Sequence, residues 1–99
     1  MDKALAVLGM AKKAGLLAVG SEDTSKAIHS GKAKLVITAI DASDGSIRRA
    51  SINAEASGIP YMAVSYTKLQ LGKTAGRGSP GTVAFLDKGL ADGFVKKLT

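Results

Sequence analysis

The apolar segment KLVITAI, residues 34–40, limits the possible folds of this chain more than any other stretch. Its almost continuous apolar residues are typical of a strand that is buried on both faces. Such strands occur in parallel or mixed sheets whose two faces are covered by helices. Turn-forming residues follow at 41–45, and a helix is predicted from about residue 46 to residue 57. The segment therefore predicts an α/β fold.

The rest of the chain alternates between helical and strand patterns in the same way. Helices are predicted at residues 2–14, 21–30, 46–57, 67–76 and 87–98, and strands at residues 16–19, 34–40, 61–64 and 82–86. Helices between successive strands imply crossover connections, which pack helices on the faces of the sheet. We expect a three-layer α/β/α sandwich with a four-stranded mixed sheet, in the order α-β-α-β-α-β-α-β-α. With 99 residues and no repeat or linker, the chain is expected to form one domain over residues 1–99.

Capping residues mark the predicted helix ends. Ser21 is predicted to cap the second helix, and Asp87 is predicted to cap the last one. Thr67 and Gln70 match a capping box at the start of the fourth helix. A glycine follows each of the first four helices, as is typical of helix C-termini.

The chain is basic, with 14 Lys and Arg residues against 8 Asp and Glu residues and a formal net charge of +6. Such an excess on a small domain favours a polyanionic partner. The absence of cysteine excludes disulfides, thiolate metal sites and cysteine nucleophiles, and it is consistent with a cytoplasmic location. One histidine, His29, is too few for a multi-histidine metal cluster or histidine-relayed serine catalysis. No apolar run approaches the roughly 20 residues of a membrane helix, so no membrane partner is expected.

Two patterns could carry chemistry, and each has a simpler interpretation. Gly72-Lys73-Thr74 resembles the end of a phosphate-binding P-loop, but Thr67 stands where that pattern needs another glycine. Asp41 and Asp44 follow the buried strand, where they could hold a metal or act as an acid and base pair. A turn and a helix cap explain both aspartates more simply. We therefore expect no catalytic residue, no metal site and no cofactor.

The basic residues are placed near glycine-containing turns. They include Lys12, Lys13, Lys26, Lys32, Lys34, Lys73 and Arg77. If the turn at Gly20 and the loop at Gly76 lie at one end of the sandwich, several of these charges converge; otherwise they form a solvated surface. Only four aromatic residues are present, so a base-stacking platform for single strands is poorly supported. Backbone and groove contacts to folded RNA suit this composition better.

The segment GSEDTSK, residues 20–26, resembles a known signature. It is similar to that of the ribosomal protein family of large-subunit proteins seven-Ae and thirty-e, whose members bind RNA kink-turns. The family motif is glycine, any residue, asparagine, glutamate, two residues and lysine. Gly20 and Lys26 match it, Glu22 replaces the asparagine, and Asp23 replaces the glutamate. The segments KAKLVI with the following DA, IPY and LGKTAG also resemble family segments in order and spacing, so the resemblance covers almost the whole chain.

The resemblance implies an α/β/α sandwich that binds tandem sheared G·A pairs in a sharply bent RNA. The turn before the second helix would approach the guanine edges, and the loop after the fourth helix would cover the extruded nucleotides. The RNA-binding residues that it and the charge pattern imply are Gly20, Ser21, Glu22, Asp23, Lys26, Lys13, Lys32, Lys73, Gly76, Arg77 and Gly78. The expected partner is a structured RNA, such as a kink-turn of ribosomal RNA or of a riboswitch. The protein would be a monomer when free, similar to small bacterial stand-alone relatives.

Two alternative functions remain open from the sequence. Relatives in growth arrest and stress signalling act through protein partners, and an apolar interface would respond little to salt, unlike RNA binding. An enzyme that acts on a phosphorylated metabolite at Asp41 and Asp44 would instead be stabilised by its ligand or metal.

Overall fold

A computed structural model describes residues 2–76 and 78–98 of the chain. Helices and strands alternate along it. In chain order they are α1 (Lys3–Lys13), β1 (Leu17–Val19), α2 (Ser21–His29), β2 (Leu35–Thr38), α3 (Asp44–Ala56), β3 (Tyr61–Ala63), α4 (Lys68–Ala75), β4 (Thr82–Phe85) and α5 (Lys88–Lys97). The predicted α/β fold and its element order are confirmed.

The four strands form one mixed sheet in the order β1-β4-β2-β3. β2 and β3 are parallel, with Ile37 opposite Met62. The last strand, β4, lies between β1 and β2 and is antiparallel to both, with Val83 opposite Val19 and Ile37. Because β4 runs against its two neighbours, β1, β2 and β3 all point the same way and their carboxyl ends share one edge of the sheet.

Each face of the sheet is covered by its own set of helices, which gives the three layers that were predicted. Helices α1, α4 and α5 cover one face through Leu8, Leu71 and Phe94, each fully buried. Helices α2 and α3 cover the other face mostly with alanine, including Ala27, Ala50 and Ala54, together with Ile28. Full burial of a Leu or Phe side chain contributes roughly 1.5–3 kcal/mol, so these two cores hold the helices on the sheet.

The strand β2 is shorter than the sequence pattern predicts. It covers Leu35–Thr38 rather than residues 34–40, although all four of its residues are buried as expected. The Ala39 N–H still donates to the Gly81 carbonyl (2.9 Å) in the register of β2 and β4, whereas the Ile40 N–H donates to the Tyr66 carbonyl (2.8 Å) in the segment beyond β3. The prediction that Ile40 is buried in the sheet is wrong, since this residue is 63% exposed.

The starts of α2 and α3 also differ from the prediction. Gly20, not Ser21, is the N-cap of α2, with φ 96° and ψ 162°, and Ser21 is the first helical residue. A positive φ of this size favours glycine, so Gly20 sets the direction in which α2 leaves the sheet. α3 begins at Asp44, two residues before the predicted start, because the Ser43 hydroxyl accepts from the Ser46 N–H.

A partly buried hydrogen bond joins the start of α1 to the segment before α4. The Tyr66 hydroxyl donates to both carboxylate oxygens of Asp2 at 2.8 Å, and Asp2 also accepts from the Leu5 N–H as the N-cap of α1. The Leu5 N–H and then Tyr66 lower the pKa of Asp2. Burial and then Asp2 raise the pKa of Tyr66 to about 12. The pair therefore favours an ionised carboxylate beside a neutral phenol.

Across residues 2–76 and 78–98, no helix is both long and apolar enough to span a bilayer.

Candidate nucleic-acid interface

Three helices begin at the edge of the sheet where β1, β2 and β3 end, which we call the carboxyl edge. β1 runs into α2, β2 into α3 and β3 into α4, while β4 starts there. The Gly20 N–H donates to the Thr82 carbonyl (2.8 Å), so the turn before α2 is fixed to the start of β4. Helix N-termini carry unpaired N–H groups and a partial positive charge, which favour negatively charged ligands.

The first turn of α2 presents Ser21, Glu22 and Asp23 of the sequence motif at this edge, and Lys26 follows one turn further along the helix. Ser21 and Asp23 are half-buried, whereas Glu22 and Lys26 are exposed. The Glu22 carboxylate lies 3.8 Å from the Lys26 ammonium group, with 86% and 74% of the two side chains exposed. Such exposed pairs are weak, so both side chains can exchange this contact for a ligand.

A groove between α2 and β1 extends the motif surface toward the other end of the sheet. Asp23, Lys26 and Lys32 line it, together with Leu17 and Leu86. Lys32 lies near the end where β1 and β2 begin, since it follows α2 and the Lys34 N–H donates to the Phe85 carbonyl. The structure therefore brings Lys26 and Lys32 to one groove.

The remaining predicted lysines lie where α1 and α4 end. Lys13 is in the last turn of α1, and Lys73 is in the last turn of α4. Gly76 ends α4 with φ 72°, a left-handed conformation that favours glycine, and a Cβ there would lie 4.0 Å from Lys12 Cε. This region adjoins the start of β1, because the Leu16 N–H donates to the Ala11 carbonyl. Lys13, Lys73 and Gly76 thus form a second basic region, separate from the first turn of α2.

The segment between α4 and β4 connects the two regions. It starts at Gly76 and reaches the carboxyl edge at Gly81, whose carbonyl accepts from the Ala39 N–H. Gly78 is exposed, with φ 34°. Arg77, also predicted to bind RNA, lies outside the described residues.

The side chains of Asp41 and Asp44 both lie at the starts of helices. One carboxylate oxygen of Asp41 accepts from the Lys68 N–H at 2.7 Å, so Asp41 satisfies the first turn of α4. Asp44 is exposed in the first turn of α3, where its charge is favourable. In the part of the chain that the structure describes, no three His, Cys, Asp or Glu residues are grouped as a metal site would require. The predicted turn and cap roles are wrong in detail, because Asp41 contacts α4 instead of its own turn and Ser43, not Asp44, is the N-cap of α3.

Gly72-Lys73-Thr74 lies within α4. A phosphate-binding P-loop connects a strand to a helix, so this tripeptide does not have the required surroundings. The interpretation that it is not a nucleotide-binding loop is supported.

Two basic side chains at the carboxyl edge were missed from the sequence. Arg49 of α3 lines a small cavity with Ser21 and Thr24 of α2 and with Thr82. The Lys68 side chain lies beside Gly81, with its Cδ 3.8 Å from the position of a Cβ there. The signal that could have found Arg49 is its place in the second turn of a helix that follows a buried strand, where α/β proteins bind ligands.

Comparison with known proteins decides the family. Residues 2–92 match the model of the ribosomal protein L7Ae/L30e/S12e/Gadd45 family. The chain belongs to this family. The resemblance seen in GSEDTSK and the later segments is thereby confirmed.

Two solved structures are similar to this L7Ae-family chain. One is a protein with unknown function from Bacillus halodurans, with a TM-score of 0.89, 26% identity, and coverage of 99% of this chain and 98% of that chain. The other is the 15.5 kD RNA binding protein of Giardia lamblia, with a TM-score of 0.77, 21% identity, and coverage of 97% and 82%. The second match shows the shared fold.

Proposed function

We propose that this L7Ae-family protein is a non-catalytic RNA-binding protein that recognises a kink-turn or a similar bent internal loop. The observation that carries the proposal is the first turn of α2. Its residues Ser21, Glu22 and Asp23 lie at the edge where three helices begin, the Glu22 side chain is exposed there, and the exposed Lys26 side chain follows one turn further along α2. Family membership, the RNA-binding neighbour from Giardia lamblia and the net charge of +6 support the same conclusion.

The first turn of α2 offers complementary chemistry for guanine edges and phosphates. The Asp23 carboxylate, at the acidic position of the family motif, accepts hydrogen bonds from guanine N–H groups, and Lys26 contributes a charge-assisted contact to a phosphate. The N–H groups at the helix start also favour a phosphate. The segment after Gly76 covers the extruded nucleotides, and the second basic region meets the backbone of a longer RNA.

The RNA that the protein binds in this proposal is a ribosomal RNA or a riboswitch in the cytoplasm. The free protein is a monomer in this proposal, and one copy binds one bent RNA element.

A gel-shift titration at two salt concentrations tests the proposal. The three RNAs are a kink-turn stem, the same stem with its G·A pairs replaced by Watson–Crick pairs, and a single strand. We expect the kink-turn to bind most tightly, and its binding constant to fall steeply with salt. Equal affinity for the first two RNAs would contradict shape recognition. Absence of RNA binding, with salt-insensitive binding to a protein partner, would favour the interaction-module alternative.

A further inference from the structure

A small cavity separates α2 from α3 at the carboxyl edge. Its volume is about 10 Å³, which is about enough for one water-sized group. The polar residues that line it are Ser21, Thr24, Ser25, Ser46, Arg49 and Thr82. The cavity is thus placed between the first turns of two helices and the start of β4.

Two buried hydroxyl groups in this cavity lack a partner. Thr24 and Thr82 are each only 2% exposed. Within the described part of the chain, neither Thr24 Oγ1 nor Thr82 Oγ1 has a hydrogen-bond partner. Buried polar groups in folded proteins are almost always hydrogen-bonded, to protein, water or ligand, because an unpaired group is costly. The two residues come from different elements and line the same cavity, so a hydrogen-bonding group placed there would be near both.

The surrounding groups favour an acceptor with negative charge. All six polar side chains that line the cavity can donate hydrogen bonds, and none is a carboxylate. The guanidinium group of Arg49 is a fork of donors that matches a phosphate oxygen pair. The starts of α2 and α3 add a partial positive charge. The volume admits one oxygen atom, with the remaining atoms of the ligand outside, beside Arg49.

We propose that this cavity binds a phosphate-type oxyanion, with one oxygen between Thr24 and Thr82 and another on Arg49. The oxyanion has two possible sources. One is a backbone phosphate of the bound RNA, which rests on the proposed function. The other is a free phosphate group, as in a small phosphorylated molecule, which does not depend on RNA binding.

The first arm of the test uses inorganic phosphate and the full chain. Phosphate is titrated at constant ionic strength while backbone amide shifts are recorded by NMR, for the wild type and for Thr82→Val, Thr24→Val and Arg49→Ala. Thr→Val keeps the shape of the side chain and removes the hydroxyl. If phosphate shifts the Ser21 and Ser46 amides and each variant weakens its affinity at least fivefold, the proposal is supported with free phosphate as a source.

The second arm measures affinity for the kink-turn stem. If Arg49→Ala and Thr82→Val each bind the RNA at least fivefold more weakly, and the wild type does not respond to inorganic phosphate, the source is the RNA phosphate. Arg48→Ala is the matched control for charge, since Arg48 is the exposed neighbour of Arg49 outside the cavity lining. Thr74→Val is the control for loss of a hydroxyl, because Thr74 lies on α4.

Three results would overturn the proposal. In the first, phosphate causes no shift and the cavity variants bind RNA as tightly as their controls. The cavity would then hold only water. The second is phosphate binding that the cavity variants leave unchanged, which places the anion elsewhere. The third concerns a protein that binds no RNA at all. The proposed function then fails, and the phosphate titration alone tests this inference. The absence of any response to phosphate would overturn it in that case. A melting temperature measured for each variant confirms that the fold is intact.

Discussion

Glu22→Asn changes the one motif position whose charge differs from the family pattern. The Glu22 carboxylate lies 3.8 Å from the Lys26 ammonium group, and both side chains are mostly exposed. In water, two unit charges at this separation interact by about 1 kcal/mol before screening, and 0.1 M salt and solvent exposure leave only part of that. Asparagine keeps an acceptor, adds a donor and removes the negative charge that pairs with Lys26 and repels phosphate. We therefore expect kink-turn binding to become about two- to fivefold tighter.

The assay is fluorescence anisotropy of a labelled kink-turn stem at several salt concentrations. The slope of log affinity against log salt should steepen by about one, because Lys26 is released to contact a phosphate. Glu22→Ala should change affinity little, since it removes both the repulsive charge and the acceptor. Glu55→Gln is the matched control, because Glu55 is an exposed acidic residue near the end of α3, away from the carboxyl edge.

Asp23→Ala provides the comparison that decides the roles of the two acidic residues. Asp23 stands at the acidic position of the family motif, so its loss should weaken binding. If Glu22→Asn weakens binding at least as much as Asp23→Ala, Glu22 is itself the guanine acceptor and the reasoning above is refuted. If Glu55→Gln tightens binding as much as Glu22→Asn, the effect is one of net charge alone.

Three further changes test the charge, the core and the pH response. Lys26→Ala should weaken RNA binding about fivefold and lower the slope of log affinity against log salt by about one. Lys97→Ala on α5 is the control and should change neither quantity. Equal losses of affinity in the two variants would indicate a diffuse electrostatic surface. Ile37→Asp places a charge at a fully buried position and should destabilise the fold by about 4 kcal/mol or more, so an unchanged thermal transition would show that β2 is not central. Tyr66→Phe should lower the melting temperature by about 5 °C at neutral pH, because the hydrogen bond to Asp2 is lost. Because the pKa of Tyr66 is raised from 10.0 to about 12, its stabilisation is complete below pH 10 and is lost as the pH rises through about 12. Denaturant midpoints of wild type and Tyr66→Phe should converge over that interval, and a constant difference would contradict the role of the neutral phenol.

The sequence by itself determined the features that depend on local patterns. The apolar run at residues 34–40 predicted a doubly buried strand, and β2 is buried at all four of its positions. The Thr67–Gln70 pattern predicted a capping box, and both of its hydrogen bonds are present. The α/β class and the order of the elements follow from such signals, because burial periodicity and capping chemistry act over a few neighbouring residues. The motif at residues 20–26 likewise predicts an RNA interface at the start of α2, and this assignment stays a prediction.

Only the tertiary structure decided which distant segments meet. The insertion of β4 between β1 and β2 brings Thr82 beside Gly20, a pairing that no local pattern specifies. The Ile40 N–H likewise meets the distant Tyr66 carbonyl where β2 ends, and Ile40 is exposed although its side chain is as apolar as its buried neighbours. Arg49 becomes part of the candidate site because α3 packs against α2, and this packing also encloses the hydroxyl of Thr24. Strand pairing and helix packing join residues far apart in the chain, so their outcome depends on the free energy of the whole fold and not on any single segment.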